Sequence, residues 1–252
     1  MDAAELQRIK DLLPTSLGSE ELREQIAADI LRRSVFTARM ESARYLAKIR
    51  EITAQVAEGS INQARARELL LEELSRMGHS PLDGGGISNP ASITRLNLIV
   101  DTQRQMAASA ANMMNETPGT LAAFPAYELV RMVGKQTPRP DWAQRWAAAG
   151  AACGFEGALQ DRFMALKNSP IWQRLGDGEG GYRDTLGNPF PPFAFNSGMA
   201  WRDVPAEEAR SAGLVPPAEM EPRRPVLTPA ERDIADAAER LGFADMFADL
   251  EI

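Results

Sequence analysis

The sequence predicts a mainly α-helical protein that also contains a small α+β domain. Residues 19–57 lack proline and glycine and repeat apolar residues at helical spacing. Residues 188–201 instead hold three prolines, three phenylalanines and a tryptophan, a composition that excludes a regular helix. We therefore expect an elongated helical domain (a hairpin or bundle) over residues 1–117, a compact aromatic-cored α+β domain over residues 118–217, and a proline-rich linker with tethered C-terminal amphipathic helices over residues 218–252.

The helical domain is expected to begin with one long amphipathic helix, capped by Ser19 and ended by Gly59. A second helix over residues 61–77 follows after a short break, which favours an antiparallel hairpin. Asn89 and Pro90 are typical of the start of a third helix that runs to about residue 115. The apolar residues of the long helix recur at steps of three, four and seven: Leu22, Ile26, Ile30, Val35, Leu46, Ile49, Ile52 and Val56.

The α+β domain is expected to contain a short strand near residues 127–133 and a helix that starts at Asp141. Residues 159–168 fit either a short helix or a short strand. Asp203 is expected to cap a further short helix that ends at Gly213. All four tryptophans fall in this domain and are predicted to form its core: Trp142, Trp146, Trp172 and Trp201.

The tail combines a strong helix start at Thr228-Pro229 with a second, acidic amphipathic segment. We expect the first helix to run to about Leu241. A segment as short as the second is marginal alone, so it either folds back onto its own chain or docks in a groove on a partner. Its apolar stripe is the candidate partner-binding site: Phe243, Met246, Phe247, Leu250 and Ile252.

Composition limits the possible chemistry. The single cysteine, Cys153, and the single histidine, His79, cannot form the usual disulfides or zinc sites. The glycine loop 84–86 has no following lysine at phosphate-loop spacing. We therefore expect no catalytic, cofactor or metal site. The start lacks a signal-peptide pattern and no apolar run reaches the ~18 residues of a membrane span, so we expect synthesis in a reducing cytoplasm and no membrane partner.

Charge gives one further alternative. The net charge of −7 argues against a general nucleic-acid coat, which needs a basic face. The long helix nevertheless carries a set of basic residues, interpreted as a solvated face with a DNA-facing stripe as the alternative. This set comprises Arg32, Arg33, Arg39, Arg44, Lys48 and Arg50.

Three stretches carry a family resemblance. They are Pro138-Arg139-Pro140-Asp141-Trp142, residues 165–172 with Trp172, and residues 188–201. In this order they resemble the C-terminal domain of the Mu-F-like minor head proteins of the phage head-morphogenesis family. The resemblance covers residues 120–215, with weaker agreement in the helical front. The family's histidine and its terminal histidine–cysteine element are replaced here, by Trp142 and by residues 193–199, so any metal or cysteine role of that element is absent.

The resemblance implies a structural minor head protein of a tailed bacteriophage rather than an enzyme. Such a protein is made in the bacterial host cytoplasm, is located in the virion head, and assists assembly at or near the portal. The implied partners are the portal or the major capsid protein and further copies of the chain, with contact to DNA left open. Two alternatives are a scaffold that leaves the mature head, and a phage-delivered effector enzyme with Asp177, Glu179, Arg183 and Asp184 converging on a pocket.

Overall fold

The computed structural model describes residues 1–132, 134, 139–155, 162–225, 231–243 and 245–246. The chain is about 52% helical, with eleven α-helices and five short strands in the described ranges, which confirms the predicted fold class. Its contacts divide it into two compact units: Met1–Ala108 together with Val226–Ile252, called unit 1, and Ser109–Pro225, called unit 2. The predicted boundaries at 117/118 and 217/218 concern independently folding domains, and they stay predictions.

Unit 1 begins with short elements: α1 (Ala3–Arg8), β1 (Asp11–Leu12), α2 (Ser19–Gln25), α3 (Ala28–Arg33) and β2 (Ser34–Val35). The two strands pair in parallel, with Leu12 opposite Val35. The longer helices follow: α4 (Ala43–Glu58), α5 (Gln63–Arg76) and α6 (Ile93–Met114), with two 3₁₀ turns between α5 and α6 at Pro81–Asp83 and Gly86–Ser88. The part of α6 from Ser109 onward belongs to unit 2. After unit 2, the chain returns to unit 1 as α11 (Glu231–Leu241).

The prediction of one continuous helix over residues 19–57 is wrong. The chain leaves the helical conformation at Ile26 (φ −107°, ψ 131°), and residues 34–40 run beside residues 11–17. The N–H of Thr15 donates to the carbonyl of Met40, and the N–H of Arg39 to that of Leu17, at 2.9 Å each. The chain therefore reverses direction within residues 19–57, and these non-local backbone hydrogen bonds stabilise the reversal. The apolar residues keep helical spacing across it, which is why the sequence pattern predicted one helix.

The predicted helical hairpin is confirmed by α4 and α5. Gly59 ends α4 in the left-handed conformation (φ 79°), which suits a residue without a Cβ. The third predicted helix is confirmed as α6, but its first turn is capped by Ser92, whose hydroxyl accepts from the N–H of Arg95. The core between these helices is built from Leu46, Ile49, Ile52, Leu70, Leu74, Leu96 and Val100.

Unit 2 consists of α7 (Pro118–Ala123), β3 (Ala126–Arg131), α8 (Trp142–Cys153), β4 (Met164–Leu166), α9 (Ile171–Asp177), β5 (Met199–Val204) and α10 (Ala206–Ser211). The strands form an antiparallel sheet in the order β4-β3-β5, with Tyr127 opposite both Ala165 and Asp203. The predicted strand β3 and the predicted helix α8 are confirmed. Asp203 does not cap α10, because it belongs to β5, and the N-cap position is taken by Pro205.

Candidate functional site

Two of the three stretches that carry the family resemblance, residues 165–172 and 188–201, meet at Trp172, and Trp142 of the first stretch belongs to the same core. The Trp172 indole is fully buried at the start of α9. Its ring centre lies 5.4 Å from that of Trp146, 5.5 Å from that of Trp201 and 6.2 Å from that of Phe193. Tyr127 of β3 stacks on Trp201 at 4.0 Å. The predicted tryptophan core is therefore confirmed, and the sheet, α8, α9 and the proline-rich segment share it.

The proline-rich segment 188–201 is held by close backbone contacts. Phe190 and Phe193 are buried, and the amide of Asn188 donates to the carbonyl of Pro192. Gly176 of α9 lies directly against this segment, since a Cβ on it would stand 1.9 Å from the carbonyl oxygen of Asn188. The sequence composition pointed to this buried centre, but the contact between Gly176 and Asn188 is non-local and left no sequence signal.

Arginine side chains hold the end of the same segment. Arg131 donates to the carbonyl of Ser197 at 3.0 Å, and Arg139 donates to that of Phe195 at 2.6 Å. Arg139 and Arg145 both form ion pairs with Asp184, at 2.6 and 2.8 Å. Burial opposes ionisation of Asp184, but the hydrogen bonds and charge of Arg145, with the charge of Arg139, outweigh it and lower the pKa of this carboxyl. These groups therefore stabilise the fold.

The residues predicted to converge in the enzyme alternative are separated between different ion pairs. Asp177 and Glu179 both face Arg174, at 3.9 and 3.1 Å, whereas Asp184 belongs to the Arg139–Arg145 cluster. Within the described residues, no group of three or more histidine, cysteine or carboxylate side chains is arranged to hold a metal ion.

Sequence reasoning missed an ion-pair network on the sheet of unit 2. Glu128 of β3 accepts hydrogen bonds from Arg162 and Arg202, and both arginines also bind Glu208 of α10. Hydrogen bonding from Arg162 is the main cause that lowers the pKa of Glu128, and Arg202 adds to it against the opposing effect of burial. The network joins β3 and β5 to α10. Its bonded pairs are 34, 74, 46 and 6 positions apart in the sequence.

A second network, in which Lys167 and Glu116 are buried, lies beside the same strand. The Lys167 ammonium is 2.6 Å from a carboxylate oxygen of Glu116 and 2.7 Å from one of Asp203. Tyr127 donates its hydroxyl hydrogen to Glu116, and burial together with the Glu116 charge raises the pKa of Tyr127. Asp203, predicted as a helix cap, instead stabilises this lysine.

The candidate interaction site is a groove in unit 1 that α11 occupies. It is formed by α2, α3 and the segments that follow β1 and β2, and is called the α11 groove here. Ala237 is buried against it, Leu241 packs on it, and Arg240 donates to the carbonyl of Gln25 at 3.2 Å. The groove consists of the buried residues Leu13, Leu22, Ile26 and Leu31, with Leu17, Ile30, Phe36 and Ala38 at its edges.

The candidate partner-binding stripe is described only in part. Phe243 is 2% exposed, and its N–H donates to the carbonyl of Ala238 at the end of α11. Met246 is half-buried and lines a cavity of about 550 Å³ together with Met40, Met77 and His79. These two residues therefore lie within unit 1, while Phe247, Leu250 and Ile252 fall outside the described residues. Binding of the stripe to a partner stays a prediction.

The remaining predicted positions have structural contacts. The backbone N–H of His79 donates to the carbonyl of Leu74 beyond α5, and the thiol of Cys153 donates to the carbonyl of Ala149. The basic set does not form one continuous stripe, because residues 19–57 do not form one helix. Arg33 pairs with Asp29, and Arg44 pairs with Glu73.

Comparison with protein-family models, with curated proteins and with solved structures finds no match for this chain. In the described ranges, every helix is too short or too polar to cross a bilayer.

Proposed function

We propose that this chain is a structural minor head protein of a tailed bacteriophage that acts in head assembly at or near the portal. The supporting observation is the convergence at Trp172. The three stretches with the family resemblance lie far apart in the sequence, yet Trp172, Phe193 and Trp201 pack on one another and Trp142 belongs to the same core. A set of residues that together build one domain centre is what a family resemblance over residues 120–215 requires.

Unit 1 supports the same proposal in a different way. Its α11 groove already holds an amphipathic helix, so it has the shape and apolar character needed to attach one segment of a virion protein to another. In this proposal the chain is present in several copies, contacts the portal or the major capsid protein, and is located in the virion after synthesis in the host cytoplasm. It has no catalytic role and uses no cofactor.

The test is the protein content of phage particles from a host that expresses the chain with its neighbouring phage genes. Gradient-purified, DNA-filled heads and portal-containing empty heads are analysed by quantitative mass spectrometry. We expect the chain in both, at a constant ratio to the portal protein. Presence in empty heads alone would identify a scaffold that leaves before maturation, and absence from both would reject the proposal.

A further inference from the structure

We propose that the α11 groove also accepts α11 from a second copy of this chain, so that neighbouring copies are joined by exchange of this helix. The proposal deepens the proposed function by naming the surface through which copies associate. It relies on that function only for the presence of several copies in one particle.

The division of the chain is the first observation. Unit 1 is discontinuous: residues 1–108 form its body, and the chain passes through the whole of unit 2 before α11 returns to it. The segment before α11 is attached to unit 2, where Arg223 donates to the carbonyl of Ser169 and Arg224 to that of Met114. Residues 225–230 then separate this attachment from α11 and reach about 20 Å when fully extended.

The nature of the contact is the second observation. An isolated helix of eleven residues is marginal in water, so α11 needs a groove to be stable. Ala237 and Ala238 are buried and small, Leu241 packs on the groove, and the Arg240 guanidinium donates a hydrogen bond to the carbonyl of Gln25. None of these contacts depends on which copy supplies the helix.

Exchange therefore replaces each contact with an identical one. The free energies of the closed monomer and of the exchanged form differ mainly in the entropy of association, which the tether decides. A linker of only a few residues holds the segment it joins at an effective concentration in the millimolar range. Exchange becomes favourable when copies are held side by side at similar local concentrations, as in an assembled ring.

The experiment places one half of the contact on each of two copies. In a Cys153→Ser background, one tagged full-length chain carries Gln25→Cys and a differently tagged chain carries Arg240→Cys. Both positions are exposed, so the substitutions leave the groove residues in place. The two chains are mixed from micromolar to millimolar concentration and treated with a short bismaleimide. Because each chain has one cysteine, every cross-link between tags is intermolecular.

We expect a cross-linked heterodimer that increases with concentration and is formed several-fold more than with Leu82→Cys in place of Gln25→Cys. Leu82 is an exposed apolar residue outside the groove, so it reports random collision. A chain carrying both Gln25→Cys and Arg240→Cys at micromolar concentration tests whether α11 occupies the groove of its own chain, because the closed monomer brings the two positions together.

Equal yields for Gln25→Cys and Leu82→Cys at millimolar concentration would overturn the proposal. So would failure of the doubly substituted chain to form its internal cross-link, since α11 would then not occupy the groove at all. The measurement uses purified protein, so a negative result leaves the mass spectrometry of phage heads as a separate test of the proposed function.

Discussion

At the scale of single residues, Gly176 decides whether the proline-rich segment can pack on α9. A methyl group at this position would overlap the carbonyl oxygen of Asn188. The nearest atoms it would meet all belong to the Asn188 backbone, which cannot rotate away as a flexible side chain could. We expect Gly176→Ala to destabilise the protein by about 3 kcal/mol, the upper part of the range for overpacked cores. Urea unfolding followed by tryptophan fluorescence measures this change.

Gly119→Ala is the matched control for that substitution. Gly119 lies in α7, where a Cβ would have its nearest neighbour at 3.8 Å, and alanine favours helix more than glycine does. We expect this variant to be as stable as the parent protein or slightly more stable. Equal loss of stability in both variants would contradict the close contact at Gly176.

Lys10 is a buried lysine whose ammonium donates to the amide oxygen of Gln103 and, in the part of the chain that the structure describes, forms no ion pair with a carboxylate. Burial lowers its pKa to about 8, against about 10.4 in an unfolded chain. Arg50 of α4 donates to the Lys10 carbonyl and so adds no negative charge. The charged ammonium is therefore destabilising below pH 8, by up to about 3 kcal/mol.

This destabilisation is relieved as the pH rises from about 8 to about 10.4, because Lys10 loses its proton at a lower pH in the folded state than in the unfolded state. We expect Lys10→Met to be more stable than the parent protein at pH 7, with a difference that decreases towards pH 10. Urea unfolding of both proteins at pH 7, 8, 9 and 10 provides the comparison. Parallel stability curves across this range would show that Lys10 is solvated.

At the scale of elements, the break between α2 and α3 distinguishes the observed fold from a continuous helix. Ala27 has φ −61° and follows Ile26 in an extended conformation, and both suit a proline at position 27. We expect Ala27→Pro to change the free energy of unfolding by less than about 1 kcal/mol. Ala47→Pro, in the middle of α4, should cost about 3 kcal/mol or more.

Thermal unfolding followed by circular dichroism separates these two cases. A large loss of stability for Ala27→Pro, similar to that for Ala47→Pro, would mean that residues 19–57 are helical throughout.

The ion-pair network on the sheet of unit 2 joins three elements through Glu128. Without the Glu128 charge, the two arginines, Arg162 and Arg202, share Glu208 as their remaining carboxylate in the network. We therefore expect Glu128→Gln to lower the free energy of unfolding by about 2 kcal/mol near pH 7. Because the folded-state pKa of Glu128 is lowered, its contribution is complete above about pH 4.3 and is lost as the pH falls further.

Glu207→Gln is the control for this prediction. Glu207 precedes Glu208 in α10 and is exposed. Unfolding at pH 7 and pH 3 should therefore separate the two variants at pH 7 and bring them closer at pH 3. A constant difference at both values would assign the effect of Glu128 to packing.

At the scale of the whole molecule, charge predicts weak binding to nucleic acid. The net charge is −7, and several arginines of both units are bound to carboxylates. We expect any affinity for duplex DNA to be no tighter than about 10⁻⁵ M at physiological salt and to fall steeply between 50 and 200 mM salt. Fluorescence anisotropy with a labelled duplex measures both. Submicromolar binding that is insensitive to salt would indicate a specific DNA site.

Local sequence pattern was sufficient for part of this architecture. Apolar spacing located α5, Gly59 located the end of α4, and Asn89-Pro90 marked the approximate start of α6, while the concentration of tryptophans located the core of unit 2. The sequence also showed the candidate stripe from Phe243 onward as an amphipathic pattern. It did not show whether this stripe packs on its own chain or on a partner.

The sequence by itself determined the helical class, the hairpin and the aromatic centre, because these depend on residues close together in the chain or on composition alone. Tertiary structure decided the reversal between α2 and α4, the strand β5, the Glu128 network and the groove under α11. Each of those depends on hydrogen bonds, ion pairs or apolar contacts between distant residues, and such pairings leave no periodic trace in a single sequence.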